Sequence, residues 1–428
     1  MLNNDLVEYL NKYFVNPNDI SAANLDAHFL TKFGVNAKQG TVHHKLFLFD
    51  YDQQTVKWTY PLSHLCRGII VRWDVFCREW FIVSWGFNKF FNLLEPSCPI
   101  TKAEYAQNPQ GYRLLSKEDG TLIQLYKYEE EWRVSTRGAI TTERYNDQPY
   151  TFESLFWDTV QQDVGLDKRH FCCNLDVAPS TYMFELCTPY NRIVSRYPTP
   201  RIYLIGQREL TYGRLLTHGE VDTTARKLGC RRPDFAFCNE FPTFDSLIEF
   251  AEKDALTTEP DEPEYKEGFV LYDDSKPIGK IKNKPYLLLH SIMGGHDSMF
   301  TIKNIVRCYF GGTLDDIYSA LPEVLQKGAD TLKQGFADLV AQLVAAVAEV
   351  NKQHCCSDYS EPKEEQKHYA QVVMKVVPEL VGEYGRTATG YFFQQKKDIV
   401  KGVLGNFSSY VQENCEKQMD YWKAVVKI

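Results

Sequence analysis

Between about residue 40 and residue 290 the chain is a succession of short runs rich in β-branched and aromatic residues, and beyond Leu289 such runs stop. "KLFLFDY", "RGIIVRW", "EWFIVSW", "GTLIQLYKY", "EWRVSTRG", "TYMFEL", "RIYLIGQREL", "EGFVLYD" and "KIKNKPYLLL" belong to the first part. Many alternate apolar and polar residues, as half-buried antiparallel strands do. "FESLFWDTVQQDV" and "TFDSLIEFAEKDA", lying between them, space their apolar residues as helices do. The second part, from "LDDIYSALPEVLQKGADTLKQGFADLVAQLVAAVAEVNKQH" to "YWKAVV", has helical spacing throughout, and Gly294-Gly295 and Gly311-Gly312 punctuate the change. The pattern predicts an α+β domain over 1–290 followed by an all-α domain over 291–428.

With 44% hydrophobic and 24% charged residues, the 428-residue chain has the composition of globular domains that bury their own cores. Its longest apolar run, "LVAQLVAAVAEV", is broken by Gln342 and Glu349 and is too short to cross a bilayer, so no membrane role is expected. "MLNNDLVEYLNKYF" has no secretory pattern, which predicts an intracellular, cytoplasmic location, a virus-infected host included. Twelve cysteines form no C-x-x-C unit, so reduced thiols are expected; His354, Cys355, Cys356 and His368 match no common ligand spacing. The acidic stretch Thr257 to Glu267 reads as a solvated loop. A net charge of −8 excludes indiscriminate attachment to phosphate backbones while leaving room for one basic cleft.

"RLLSKEDGTLIQLY", residues 113 to 126, sets an ammonium beside two carboxylates and a glycine just before a strand. Alone it is turn chemistry. Its company is "CRGIIV" with Arg67, "NKFFNL" with Lys89, "FELCTPYNRIV" with Glu185, "EGFVLY" with Glu267, and "KIKNKPY" with Lys280 and Lys282. In this order the blocks resemble those of the covalent nucleotidyltransferases, the ATP-dependent ligases and mRNA capping enzymes. Within that group they are most similar to the bacteriophage T4 RNA ligase 1 family. The resemblance implies a nucleotidyltransferase fold, with ATP-grasp-like antiparallel sheets and flanking helices, in the first domain.

It also implies roles. Lys117 would attack the α-phosphate of ATP and expel pyrophosphate. An amine with an ordinary pKa near ~10.4 is protonated at neutral pH, so neighbouring cations must favour its neutral form, and Lys280 and Lys282, on one face of a strand, are the candidates. Arg67, Lys89 and Arg137 would hold the β- and γ-phosphates, although Arg137 stands where the family has lysine. A carboxylate in an apolar strand is costly unless something satisfies it; by resemblance Glu185 meets the ribose and Glu267 places Mg2+ (or Mn2+). Asp119-Gly120 would make the turn that presents Lys117, with Glu118 beside the nucleotide. Phe91 and Tyr286 pack against the nucleotide or fill the core. "NRIV" recurs as Asn191, Arg192, Ile193 and Val194, where Arg192 would pin a loop. Asp315 and Asp316 match an acidic pair that approaches the metal, helix capping being the competing role.

Ligases of DNA and capping enzymes usually continue into a β-rich OB module, whereas this chain continues into helices, as the RNA ligase 1 type does. The implied function is ATP-dependent joining of 5′-phosphate and 3′-hydroxyl RNA ends through lysyl-AMP and RNA-adenylate, in the repair of tRNA anticodon-loop breaks. No G-x-x-x-x-G-K-[ST] loop is present, so a separate end-healing kinase/phosphatase is an expected partner. The alternatives are a GTP-dependent mRNA capping guanylyltransferase and an inactive RNA-binding relative.

Overall fold

A computed structural model of the chain describes residues 4–40, 43, 45–140, 150–176, 178–191, 193, 195, 197–253, 266–283, 286, 302–318, 323–355, 362–404 and 407–426. The chain divides into two compact units. One comprises residues 1–29, 35–52 and 56–297, the other residues 30–34, 53–55 and 298–428. The boundary expected near residue 290, together with Gly294-Gly295, Arg192 and most of the acidic 257–267 loop, lies outside the described residues.

Among the described residues of the first unit the strand-like runs become fourteen strands in three sheets. β1 (Val35–Gln39), β2 (Leu46–Tyr51), β3 (Arg67–Asp74) and β4 (Glu79–Ser84) form an antiparallel meander. The others are β5 (Phe91–Asn92), β6 (Arg113–Lys117), β7 (Thr121–Tyr128), β8 (Glu131–Thr136), β9 (Ser180–Cys187), β10 (Arg201–Glu209), β11 (Arg214–Leu215), β12 (Phe235–Phe237), β13 (Gly268–Tyr272) and β14 (Pro277–Lys282). They make two five-stranded sheets, ordered β11-β10-β9-β7-β8 and β12-β6-β13-β14-β5. All pairings are antiparallel except β14 with β5.

Alternation decides where each sheet sends its side chains. On the second five-stranded sheet Leu114, Phe269, Leu271 and Ile281 point one way. There they pack with Tyr105, Phe244 and Leu247, which come from helices Lys102–Gln107 and Phe244–Lys253. The first five-stranded sheet sends Leu125, Tyr182, Phe184, Ile202 and Leu204 into a core shared with helices Phe152–Thr159 and His218–Leu228. Threonines start several of these helices: Thr101 and Thr217 each close a capping box with a glutamate, satisfying N–H groups the first turn would leave orphaned. The remaining faces meet in a small cluster of Phe87, Leu115, Met183, Leu215, Val270 and Tyr272. That cluster carries a cavity.

The described residues of the second unit from 302 onward form helices joined by turns, dominated by Glu323–Cys355 and Pro362–Val381. Gly312, at φ 72°, ends helix Ile302–Phe310 in the left-handed conformation glycine adopts without penalty. Phe310 and Trp422 pack with ring centres 4.6 Å apart, and Phe336 stacks on Phe407 at 5.8 Å. The α+β and helical expectations are thus met by the elements themselves. No described helix is long and apolar enough to cross a membrane, and the described cysteines are free thiols.

Candidate active site

Lys117 ends β6 directly opposite Gly268, which in turn lies opposite Lys282 on β14. Two lysines thereby flank one strand start, and Glu267 enters between them. Its Oε2 is 2.6 Å from Lys117 Nζ and its Oε1 2.8 Å from Lys282 Nζ. Gly268 makes the approach possible: its φ is +146°, and a Cβ there would lie 2.0 Å from the Ile281 carbonyl oxygen. The carboxylate is 5% exposed and Lys282 9%, so these are desolvated charges. Burial pushes the Glu267 carboxyl up, but Lys117 and Lys282 outweigh it and hold its pKa below the usual value. For Lys117, burial and Lys282 both favour the neutral amine; Glu267, aided by Glu185, prevails over them and raises its pKa above that of an ordinary lysine. The expectation that cations keep Lys117 uncharged is therefore corrected for the ligand-free protein, where Glu267 stores it as an ammonium.

Lys117, Ser116, Glu118, Gly120, Glu185 and Arg67 line a cavity of about 220 Å³ whose apolar wall is built by Phe87, Phe90, Leu115, Leu122, Ile205, Pro233, Val270 and Tyr272. Glu185, on β9 between Leu122 and Tyr203, accepts from the Gly120 backbone N–H at 3.2 Å. Burial lifts its carboxyl most; Glu267 and Asp119 add to that, Lys117 and Arg67 oppose it, and the result is a pKa of about 8. Arg67, the first residue of β3, holds its guanidinium 5.4 Å from the Phe90 ring, and its Nη1 is buried without a hydrogen-bond partner among the described residues. An orphaned buried donor in a polar recess is a place for an anion.

At the Asp119-Gly120 turn behind Lys117 the aspartate is buried, unlike that of an ordinary surface turn. Asp119 is 3% exposed and accepts from Ser195 N–H at 2.6 Å and from the Tyr286 hydroxyl at 2.8 Å. Glycine is needed at 120 because a Cβ would fall 2.4 Å from the Leu186 carbonyl oxygen. Tyr197 accepts from Asp119 N–H and donates to Glu118, fixing both acids behind Lys117. Asn191 bonds Leu186 O and Thr121, bracing the same corner. Tyr286 is thus a brace for Asp119, with the Lys282 ammonium 5.4 Å from its ring centre.

The other expected phosphate ligands gather around Tyr51 at the end of β2. Lys89 Nζ lies 5.3 Å from the Tyr51 ring centre, 5.3 Å from Trp58 and 5.0 Å from Phe91. Arg137 stacks over Tyr51 at 4.1 Å and bonds Asp50 at 2.8 Å. Gly68, at φ +74°, lets this segment close in, since a Cβ there would meet the Arg137 backbone at 2.9 Å. Burial raises the Tyr51 phenol, yet Arg137, Lys89 and Arg67 together bring its pKa below normal, a measure of the positive field there. Lys280 shares the face of Lys282 two residues earlier, in register with Val270 and Asn92. Neither of the two lysines is among the residues lining the cavity. Asp315 belongs to the second unit, where it accepts from Gln53 and lies 3.4 Å from Lys333 Nζ; the Asp316 side chain is outside the described residues. Among the described residues no cluster of three or more metal-ligating side chains occurs.

Of the two roles open to Phe91 the structure shows core packing, on Trp58 at 5.4 Å, and the cavity takes Phe90. Neighbouring residues of an extended segment face opposite ways. Sequence reasoning missed Phe90 and the wall residues Phe87, Val270 and Tyr272. The alternation of "EGFVLY" could have supplied the last two, because Gly268, Val270 and Tyr272 share one face.

The sequence profile of the RNA ligase family matches residues 65–304, more than half of the chain and all of the motif-bearing segments up to Lys282. A protein of Autographa californica nuclear polyhedrosis virus, carrying the name bifunctional polynucleotide kinase/RNA ligase, is 28% identical over 339 residues. The match covers 73% of this chain and 46% of the viral protein, so the chain spans about half the length of that relative. Among solved structures, an archaeal ATP-dependent RNA ligase is 14% identical with a TM-score of 0.42, covering 92% of this chain and 86% of that one. A Naegleria gruberi RNA ligase mutant with ATP and Mn is 15% identical with a TM-score of 0.34, covering 52% and 64%. On the profile match, the chain belongs to the T4 RNA ligase 1 family of RNA ligases.

Proposed function

We propose that the protein is an ATP-dependent RNA ligase that joins 5′-phosphate to 3′-hydroxyl RNA ends, with Lys117 as the covalent nucleophile. The observation that carries this reading is the Lys117–Glu267–Lys282 triad, whose Lys117 lines an apolar-walled cavity where Arg67 has a buried donor to spare. The cavity takes the adenosine, with the ribose toward Glu185, whose mostly protonated carboxyl at neutral pH can donate as well as accept. Arg67, Lys89 and Arg137 receive the outgoing phosphates; the positive field at Tyr51 suits pyrophosphate.

Glu267 is an oxygen donor of the kind magnesium or manganese takes together with phosphate oxygens, and such an ion would neutralise charge on the triphosphate. Once Glu267 is drawn from Lys117, burial and Lys282 favour the free amine, opposed by Glu185 alone. Lys117 Nζ then bonds the α-phosphorus, its proton leaves to solvent or a carboxylate, and the bond to the pyrophosphate oxygen breaks. The adenylyl group passes to the RNA 5′-phosphate, and a 3′-hydroxyl attacks that activated end, releasing AMP. Repair of broken tRNA, with the helical unit contributing substrate choice and a separate kinase/phosphatase healing the ends, fits the family resemblance.

The test is incubation with α-labelled ATP, α-labelled GTP and a 5′-phosphorylated RNA in magnesium. An acid-labile protein adduct from ATP and a sealed RNA support the reading. An adduct from GTP alone defeats it.

A further inference from the structure

The face of β6 that carries Lys117 continues through Leu115 to Arg113. Arg113 lies four residues along the strand from the nucleophile, ~13 Å at the usual rise. Opposite it on the sheet-edge strand β12 stands Phe237, and opposite Leu115 stands Phe235. Both rings are half exposed, at 51% and 52%, and they sit edge to face with centres 5.3 Å apart. The Arg113 guanidinium hangs 5.5 Å from each, and among the described residues it has no hydrogen bond or ion pair.

Beside this platform is a cavity of about 490 Å³ lined by Arg113, Arg226, Arg232, His218 and Phe235. Leu115 and Pro233 line both this cavity and the one at Lys117, so the two are neighbours across a shared wall. Of the two acids lining it, Asp222 is neutralised by Arg232 at 2.8 Å, leaving Asp234 against the arginines. His218, only 4% exposed, has an Nε2 with no hydrogen-bond partner among the described residues.

We infer that the Arg113–Phe235–Phe237 edge and its adjoining cavity form a second nucleotide site, which takes a base and its phosphate from the single-stranded RNA whose end is at Lys117. Exposed aromatic faces accept any base by stacking, and a guanidinium without a carboxylate partner suits the phosphate that joins that base to the next. β12 spans three residues, too short an edge to offer a protein strand a long ladder, which favours RNA over an added strand. The inference rests on the RNA ligase reading.

It is tested on the full-length chain with Arg113→Ala and with the pair Phe235→Ala/Phe237→Ala, circular dichroism reporting the fold. Binding of a labelled 5′-phosphorylated single-stranded oligoribonucleotide is read without ATP, and adduct formation with labelled ATP is read separately. Loss of the rings is expected to weaken RNA binding about tenfold. Arg113→Ala is expected to flatten the salt dependence by about one phosphate contact. Both variants should keep wild-type adduct formation, and Phe237→Trp should retain binding. Unchanged RNA affinity and salt slope in both variants overturn the inference. So does a wild-type dimer, seen by sedimentation, that the phenylalanine substitutions dissociate, because the edge would then be an interface between copies. Absence of an adduct in the wild-type protein is a different failure, that of the ligase reading itself.

Discussion

Glu267 holds Lys117 at 2.6 Å, so the carboxylate is the restraint on the very amine whose reactivity the reaction needs. Burial and Lys282 would make Lys117 a better nucleophile than an ordinary lysine; Glu267 reverses that in the ligand-free protein. Removing the restraint should therefore separate amine reactivity from catalysis. In Glu267→Gln, Lys117 should react faster with a neutral amine-modifying reagent at pH 7, as followed by peptide mass spectrometry. Adduct formation with ATP should fall about a hundredfold through loss of the charged oxygen. Slower modification together with wild-type adduct formation would contradict the assignment.

The second prediction concerns pH. Glu185 has a pKa of about 8 against an ordinary 4.5, so the folded state holds this proton more tightly than the unfolded chain. Its contribution to stability is fully present below 4.5 and is lost as pH rises through 8. Glu185→Gln cannot ionise, so its stability relative to wild type should rise by up to ~1.4 kcal/mol per pH step between 4.5 and 8, then level off. Urea unfolding of both proteins across that range measures it. A flat difference would mean Glu185 is ionised in the folded protein.

Arg67 and Arg137 should part company. Arg67 keeps a buried donor without a partner, whereas Arg137 neutralises Asp50. Arg67→Ala should weaken adduct formation at limiting ATP with little change in Tm. Arg137→Ala should leave a mostly buried carboxylate unpaired and cost ~3 kcal/mol of stability as well. Parallel thermal scans and ATP titrations distinguish the two; equal Tm losses would show that both arginines are structural.

Asp119→Ala removes the acceptor for Ser195 N–H and the Tyr286 hydroxyl, two buried donors. A stability loss of ~2–4 kcal/mol is expected, at ~1–3 kcal/mol per orphaned group with partial relaxation. Asp119→Asn, which keeps an acceptor, should cost less in denaturant unfolding. Equal losses would mean that the charge, and not these two bonds, holds the corner.

Much of this architecture was legible because period-2 alternation and turn residues are local, and the strands they predict are the strands that form. The meeting of Lys117, Glu185, Glu267 and Lys282 was legible only through the order of their motifs, since the pairing that joins them spans 150 residues from Lys117 to Glu267. Three features were not. Whether Phe90 or Phe91 faces the cavity depends on the phase of a two-residue strand, which no period specifies. Asp119-Gly120 looked like a surface turn because its chemistry is the same; its burial comes from Ser195 and Tyr286, both far along the chain. Lys117 has its pKa raised because its nearest charge is Glu267, whereas the family resemblance points to the lysines as its governing neighbours.

The most direct measurement is intact and peptide mass spectrometry of the wild-type protein and of Lys117→Ala after incubation with ATP and magnesium. The account predicts one adenylyl group on the wild type, carried by the peptide that contains Lys117, and none on a variant that keeps wild-type circular dichroism. An adenylylated Lys117→Ala protein, or a wild-type adduct on another lysine, would contradict it.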